Sequence, residues 1–171
     1  MGAADDEGGR RVAWDVDAYV ERVRAACFVC ELLVGTAGYE HHVIHRDDTA
    51  VVFLAKYPNL WGHVLVAPVD HRERVVGDFT EDQYAQLQRL IHRVGRALTS
   101  VIDTERLYVT SLGSQQGNTH VHWHLLPLPA GVPYEDQQMA VFDTDKGWLQ
   151  CSDAEMVTLA ADLRRALAAG G

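Results

Sequence analysis

The stretch Thr119 to Leu128, THVHWHLLPL, sets His120, His122 and His124 at alternate positions among valine, tryptophan and leucine. In an extended strand alternate side chains share a face, so the three imidazoles line one surface while Val121, Trp123 and Leu125 turn to the core. Imidazoles grouped in this way are solvated, hold a metal, or act as acid, base or nucleophile near neutral pH. A second reactive group lies far upstream. Cys27 and Cys30, in CFVC, can converge on one metal, yet they supply only half of a tetrahedral ligand set, and a pair of reduced buried thiols reads the same. Cys151 stands alone ahead of a helix cap and is expected to be inert.

The elements that must position these residues follow from hydrophobic period and punctuation. Asp15 reads as the N-cap of a short helix carrying Tyr19, Val20 and Val23 and ending near the cysteine pair. Apolar β-branched runs at Val43 to His45, Thr49 to Leu54 and His63 to Val69, divided by Asp47, Asp48, Pro58, Asn59 and Gly62, predict successive antiparallel strands. A capping box from Thr80 to Gln83 opens a long helix whose Tyr84, Leu87, Leu90, Ile91, Val94 and Leu98 share a face. Two more strands follow, Leu107 to Leu112 and His120 to Leu126, joined by the loop GSQQGNT. A last helix starts at the Ser152 to Glu155 capping box and buries Met156, Leu159, Leu163 and Leu167. An antiparallel sheet of about five strands on one long helix, with further N- and C-terminal helices, is an α+β fold.

Composition limits what such a fold can do. The 171 residues are 47% apolar and 23% charged, enough for one domain with a core, read here as residues 12–171 behind a disordered tail at 1–11. A formal net charge of -9 without a basic patch argues against a nucleic acid polymer or an anionic membrane as partner, so a phosphate ligand must be held locally. No apolar run reaches the roughly 18 residues that span a bilayer, and three cysteines make no disulfide framework, which leads to the expectation of a cytoplasmic protein. His41, His42, His45 and His92 read as surface residues.

With these residues in view, the chain resembles the histidine triad superfamily. The signature His-x-His-x-His followed by apolar residues is met by His120-Val-His122-Trp-His124-Leu-Leu. Trp61-Gly-His-Val-Leu-Val-Ala-Pro-Val-Asp-His71 is similar to the family's strand that begins at Gly-His, passes a proline and ends near a histidine. The resemblance covers roughly residues 27 to 130 and leaves the tail after Pro129 outside. It implies a HIT-like fold, a homodimer sharing one extended sheet, and action on phosphoanhydride, phosphoester or phosphoramidate bonds of nucleotides.

The same resemblance assigns roles. His122 would be the nucleophile that attacks phosphorus, a task a neutral imidazole can perform at pH 7. His124 would hydrogen-bond the phosphoryl oxygens or the leaving group and move a proton, and His63 would share the pocket. Gln116, Gly117, Asn118 and Thr119, with Asn59, are the expected substrate contacts, the loop holding phosphate through backbone N–H groups without net positive charge. Relatives that bind a structural zinc complete the cysteine pair at positions corresponding to His71 and His120, so Cys27, Cys30, His71 and His120 are the expected ligands, with His120 anchoring its strand.

Three departures from the family pattern bear on substrate. Ala55 stands where an acidic or amide residue commonly meets the ribose hydroxyls, Gly117-Asn118-Thr119 runs straight into His120, and Ser111 replaces an asparagine. The expected function is a nucleotide phosphoryl-bond hydrolase working through a nucleotidyl-histidine at His122. A nucleotidyl transferase and a zinc-stabilised nucleotide-binding module without turnover are the alternatives.

Overall fold

The computed structural model describes residues 10–170. A two-residue strand β1 (Arg11–Val12) leads to α1 (Val16–Ala25) and α2 (Phe28–Val34). Strands β2 (Val43–Arg46), β3 (Ala50–Leu54) and β4 (Val64–Pro68) precede the long helix α3 (Glu81–Val101). Strands β5 (Arg106–Ser111) and β6 (Trp123–Leu128) follow, then short 3-10 turns between Tyr134 and Lys146, strand β7 (Trp148–Leu149) and helix α4 (Asp153–Ala169). The main sheet is antiparallel in the order β2-β3-β4-β6-β5, and β1 pairs with β7 in a separate ribbon.

Capping chemistry sets the helix starts. The carboxylate of Asp15 accepts from Ala18 N at 3.0 Å, and full capping boxes close Thr80 with Gln83 and Ser152 with Glu155. Helix α2 is capped by a thiol, Cys27 Sγ accepting from Cys30 N at 3.5 Å, so the cysteine pair belongs to a helical turn that the sequence reading did not identify. In the tight turn from β2 into β3, Asp47 Oδ1 accepts from Thr49 N and Ala50 N at 2.8 and 2.9 Å.

Both faces of the sheet are covered, which is why every residue of β3 and β4 is buried. Val52, Leu54, Val64, Val66, Val121, Trp123 and Leu125 meet Leu87, Leu90, Ile91, Val94 and Leu98 of α3 and Met156, Leu159, Leu163 and Leu167 of α4. On the other face Val51, Phe53, Leu65 and Ala67 meet Val29 and Phe28 of α2, while Leu126 and Leu128 meet Leu60 and Val141. The period-2 alternation around the triad is therefore present, odd positions inward to the helices and even positions to the opposite face.

One expected boundary moves. Strand β6 begins at Trp123 rather than His120; residues 120–122 precede it and bond to the 68–72 segment, Val121 N donating to Arg72 O at 2.7 Å and His120 Nε2 to Pro68 O at 3.0 Å. Of the tail expected at 1–11, residues 1–9 lie outside the described residues, while Arg10 donates to the Glu155 carboxylate at 2.9 Å and Arg11 pairs with Leu149. Among the described residues no helix is long and apolar enough to cross a membrane.

The turn entering β4 depends on Gly62, at φ +78°, where an added Cβ would lie 2.1 Å from Cδ1 of Ile102. Gly62→Ala combines left-handed backbone strain with overpacking beside His63, for an expected loss of about 2–4 kcal/mol. Urea unfolding of the two proteins measures it; equal midpoints would show that Ile102 yields freely and that the turn tolerates a side chain.

Candidate active site and metal cluster

Hydrogen bonding assigns the imidazole protons. Nδ1 of His122 lies 2.7 Å from its neighbour's carbonyl at His120, and a carbonyl only accepts, so Nδ1 carries the proton and Nε2 keeps its lone pair. His122 is 3% exposed, and burial lowers its pKa below the usual imidazole value against the opposing pull of that carbonyl. Phe28 stands edge to face with the ring at 5.3 Å, and Ser111 Oγ donates to the His122 carbonyl at 2.8 Å. Ring and backbone are both held.

His63 and His124 form a second unit. The Asn59 amide donates to His63 Nδ1 at 3.3 Å, which leaves His63 protonated at Nε2 and donating to His124 Nδ1 at 2.9 Å. A neutral His124 therefore carries its proton on Nε2. Burial holds His63 down to about 3, helped by the repulsion that protonating both it and His122 would bring, and holds His124 down to about 2, with His63 and His122 acting in the same way. Both rings are neutral at pH 7. The pair thus supplies a fixed N–H donor, next to a ring that supplies a lone pair, His122 and His124 having centroids 4.9 Å apart.

These histidines open into a cleft of about 340 Å³, a volume within the range of small-molecule sites. His63, His122, His124, Asn59, Gly117, Asn118 and Ala55 line it, whereas Gln116 and Thr119 do not. The amide of Gly117 is already bonded to the Ser114 carbonyl at 3.1 Å, so of the expected phosphate loop Asn118 is the lining residue that retains a candidate N–H group. Arg22 and Lys56 are the charged lining residues; Lys56 donates to Gly38 O at 2.7 Å, and Glu40, which accepts from Gly38 N at 2.9 Å, lies near enough for the lysine to help lower its pKa. The cleft lining thus adds two cationic side chains to the backbone N–H groups expected of the loop.

The sequence reading also passed over the aromatic lining: Trp14, Tyr19, Phe28, Tyr39, Tyr57 and Phe142. His41, expected at the surface, is half-buried in this lining, edge to face with Phe53 at 5.0 Å. His45 pairs instead with Asp47 at 3.0 Å, and His42 with Asp153 at 3.3 Å.

Behind His122, the ligand atoms of Cys27, Cys30, His71 and His120 all lie within 4.8 Å of one another. Cys27 Sγ is 3.4 Å from His120 Nδ1, and Cys30 Sγ is 3.3 Å from His71 Nδ1. A tetrahedral ion with sulfur at about 2.3 Å and nitrogen at about 2.0 Å separates such atoms by about 3.5 Å. Both rings are turned correctly: His120 Nε2 donates to Pro68 O at 3.0 Å and His71 Nε2 to Glu73 Oε1 at 3.3 Å, so each points an Nδ1 lone pair at the thiols. Burial holds His120 down to about 4, keeping it neutral. Burial, then the Cys27 thiol, push Cys30 up to about 11, a preference that a divalent cation would reverse. The donor set fits a metal ion.

Comparisons with known proteins bear on the fold and the family. An uncharacterized HIT-like protein of Saccharolobus solfataricus is 27% identical over 105 residues, 59% of this chain and 73% of that protein. A hypothetical histidine triad nucleotide-binding protein of Sulfolobus tokodaii superposes with a TM-score of 0.67 at 20% identity, covering 84% of this chain and 93% of that one. A zinc-bound histidine triad family protein of Mycobacterium smegmatis gives 0.64 at 21%, covering 85% and 96%. The model of the HIT domain matches residues 37–131, which span β2 to the end of β6 and contain all three triad histidines; the chain belongs to the HIT domain family.

Proposed function

We propose that the protein is a hydrolase of nucleotide phosphoryl bonds, of the nucleoside polyphosphate or phosphoramidate type, that works through a covalent nucleotidyl-histidine at His122. The observation that carries this reading is the 2.7 Å bond to the His120 carbonyl, which leaves an Nε2 lone pair on a neutral ring beside a cationic cleft. In the first step Nε2 adds to phosphorus and the bond to the leaving group breaks, the departing electron pair being met by the Nε2–H of His124. In the second step water adds to phosphorus, the P–N electron pair returns to His122, and the proton that water releases restores Nε2–H of His124 where the leaving group took it, or passes to solvent where the leaving group departed as an anion. An acceptor other than water would make the same intermediate a transferase intermediate. His63 orients His124, and Arg22, Lys56 and the loop at Asn118 offer the phosphoryl group positive charge.

Cys27, Cys30, His71 and His120 would hold one zinc ion, which when bound cross-links α2, the segment after β4 and the strand entry at His120. Its contribution is then positional, because the carbonyl of His120 fixes the His122 tautomer. The resemblance to dimeric relatives extends the proposal to a homodimer; β5 is an outer strand with Val109 47% exposed, an edge that a second copy could continue.

Three outcomes are expected. Protein purified without added metal should contain one zinc per chain by elemental analysis, and the Cys27→Ser/Cys30→Ser double variant should contain almost none; full zinc in that variant would remove the assignment.

Mixing with nucleoside phosphoramidates or dinucleoside polyphosphates should give a nucleotidyl adduct on the intact protein by mass spectrometry. His122→Ala should abolish both adduct and turnover, while His124→Ala should keep the nucleophile and slow turnover by about 100-fold. An adduct that survives in His122→Ala would place the chemistry elsewhere; binding without any adduct or turnover would favour the binding-module alternative.

With Ala55 at the position of the usual sugar anchor, kcat/KM for paired ribo and deoxyribo substrates should agree within about tenfold. A larger ribose preference would mean that another polar lining residue, such as Asn59, whose backbone amide already meets His63, reads the hydroxyls.

A further inference from the structure

The proton on His124 has two places to sit. His63 Nε2 and His124 Nδ1 share one N–H···N contact of 2.9 Å, and that contact forms with the proton on either ring. In one arrangement both rings are protonated at Nε2, and His124 turns an N–H to the leaving group. In the reverse arrangement both are protonated at Nδ1, and His124 offers a lone pair where a donor is needed. Neither ring changes charge, so the contact alone does not choose between them. The choice falls to the group facing His63 Nδ1, which is the backbone N–H of Asn59 at 3.3 Å.

That N–H is aimed from outside the main sheet. It belongs to the peptide unit whose oxygen, Pro58 O, accepts from Leu149 N at 2.8 Å. The carbonyl on its other side, that of Asn59, accepts from Arg11 Nη2 at 3.0 Å, while Arg11 Nη1 donates to Gly147 O at 3.4 Å. Both donors come from the β1–β7 ribbon, in which Arg11 pairs with Leu149. With the carbonyls on either side of it held, the N–H between them keeps its direction, and the bond accepted by Pro58 O also strengthens the donor at the far end of the same amide. Asn59 is 9% exposed and His63 3%, so protein groups and not bulk water set this direction. Arg11, Gly147 and Leu149 lie outside residues 37–131, so the hold is supplied from beyond the stretch that matches the family.

We propose that Arg11 is a positioning residue: through Asn59 and His63 it keeps the proton of His124 on Nε2, so that the site presents a donor to the leaving group. The proposal rests on the function proposed above and adds to it a residue that touches neither substrate nor the reacting atoms. Without the guanidinium the Asn59 carbonyl is free to turn, its N–H leaves His63 Nδ1, and the two proton arrangements approach equal population.

Histidine labelled with nitrogen-15 reports the placement directly, because a ring nitrogen bearing a proton resonates far from one keeping its lone pair. Wild type, Arg11→Lys and Arg11→Met are compared in the full chain at pH 7, with His63→Gln and His124→Gln identifying the signals. Both rings should be protonated at Nε2 in wild type. Arg11→Met keeps the apolar stem and removes the donors, and both rings should move together toward protonated Nδ1; Arg11→Lys should return most of the wild-type state. In turnover, a nucleoside phosphoramidate, whose amine must leave with a proton, should lose kcat about three- to tenfold in Arg11→Met. A nucleoside 5′-(p-nitrophenyl phosphate), whose nitrophenolate leaves as an anion, should lose far less, and KM should change little for either. Thermal melting establishes that each variant is folded, and Arg11→Gln, too short to reach the Asn59 carbonyl, carries the test if the methionine variant is not. Rings that stay protonated at Nε2 in Arg11→Met, or that are protonated at Nδ1 in wild type, would overturn the inference and leave the site without this control. Equal kcat losses for the two substrates would make Arg11 a structural residue and overturn it too, with the proposed function still standing. No turnover of either substrate by wild type would remove the proposed function, and the nitrogen signals alone would then uphold or overturn the placement by Arg11.

Discussion

The bond from His122 Nδ1–H to the His120 carbonyl decides which ring nitrogen faces the cleft, and the surrounding structure is arranged so that this bond cannot rotate away. Its acceptor is the backbone of a residue whose own side chain is tied to Pro68 O on one nitrogen and faces two thiols with the other. Its donor ring is pressed by Phe28, the residue that follows Cys27, so one short helix contributes both a thiol to the cluster and a wall to the nucleophile. The metal cluster and the reactive histidine therefore share one tripeptide, 120–122, on the approach to β6. A flipped His122 ring would lose this bond and leave the carbonyl it faces without its donor, a cost of about 1–3 kcal/mol in a buried site.

The sheet separates stability from chemistry by its alternation. Val121, Trp123 and Leu125 join the larger core beneath α3 and α4, while His122 and His124 project from the opposite face. That second face is not left to water, since α2 covers Phe53 and Leu65 and the segment after Pro129 supplies Val141 beside Leu126. Burial there is what lowers the imidazole pKa values, so the same packing that protects the sheet also keeps the reactive rings neutral.

Local signals made the large elements legible. Capping boxes at Thr80 and Ser152 and the helical stripes behind them marked α3 and α4, and period-2 runs marked the sheet strands. The histidine and cysteine sites were legible because their chemistry is written in residue type and spacing; the four ligand residues are brought together, and so are His63, His122 and His124, whereas His41, read as a surface residue, joins them in the cleft. What escaped notice was non-local. Helix α2 has only seven residues and carries no strong amphipathic period, and its cap is a cysteine, a residue seldom read as one. The β1–β7 ribbon consists of two residues on each side, below any periodicity. Trp14, Tyr57 and Phe142 are widely separated in the chain and gain meaning only when the fold collects them around His124 and His63.

The ribbon has a consequence for how the molecule is made. Arg10 reaches Gln150 across 140 positions, and Gly147, where a Cβ would come within 2.3 Å of Val12 O, permits the two segments to touch. Closing so long a loop is slow and gains little until the intervening sheet exists. During synthesis the triad histidines emerge before Phe142 and Thr144 of their cleft, and β1 must wait for β7, more than a hundred residues later, to find its partner. A nascent chain therefore holds its reactive imidazoles in an unfinished site until the segment carrying β7 has left the ribosome.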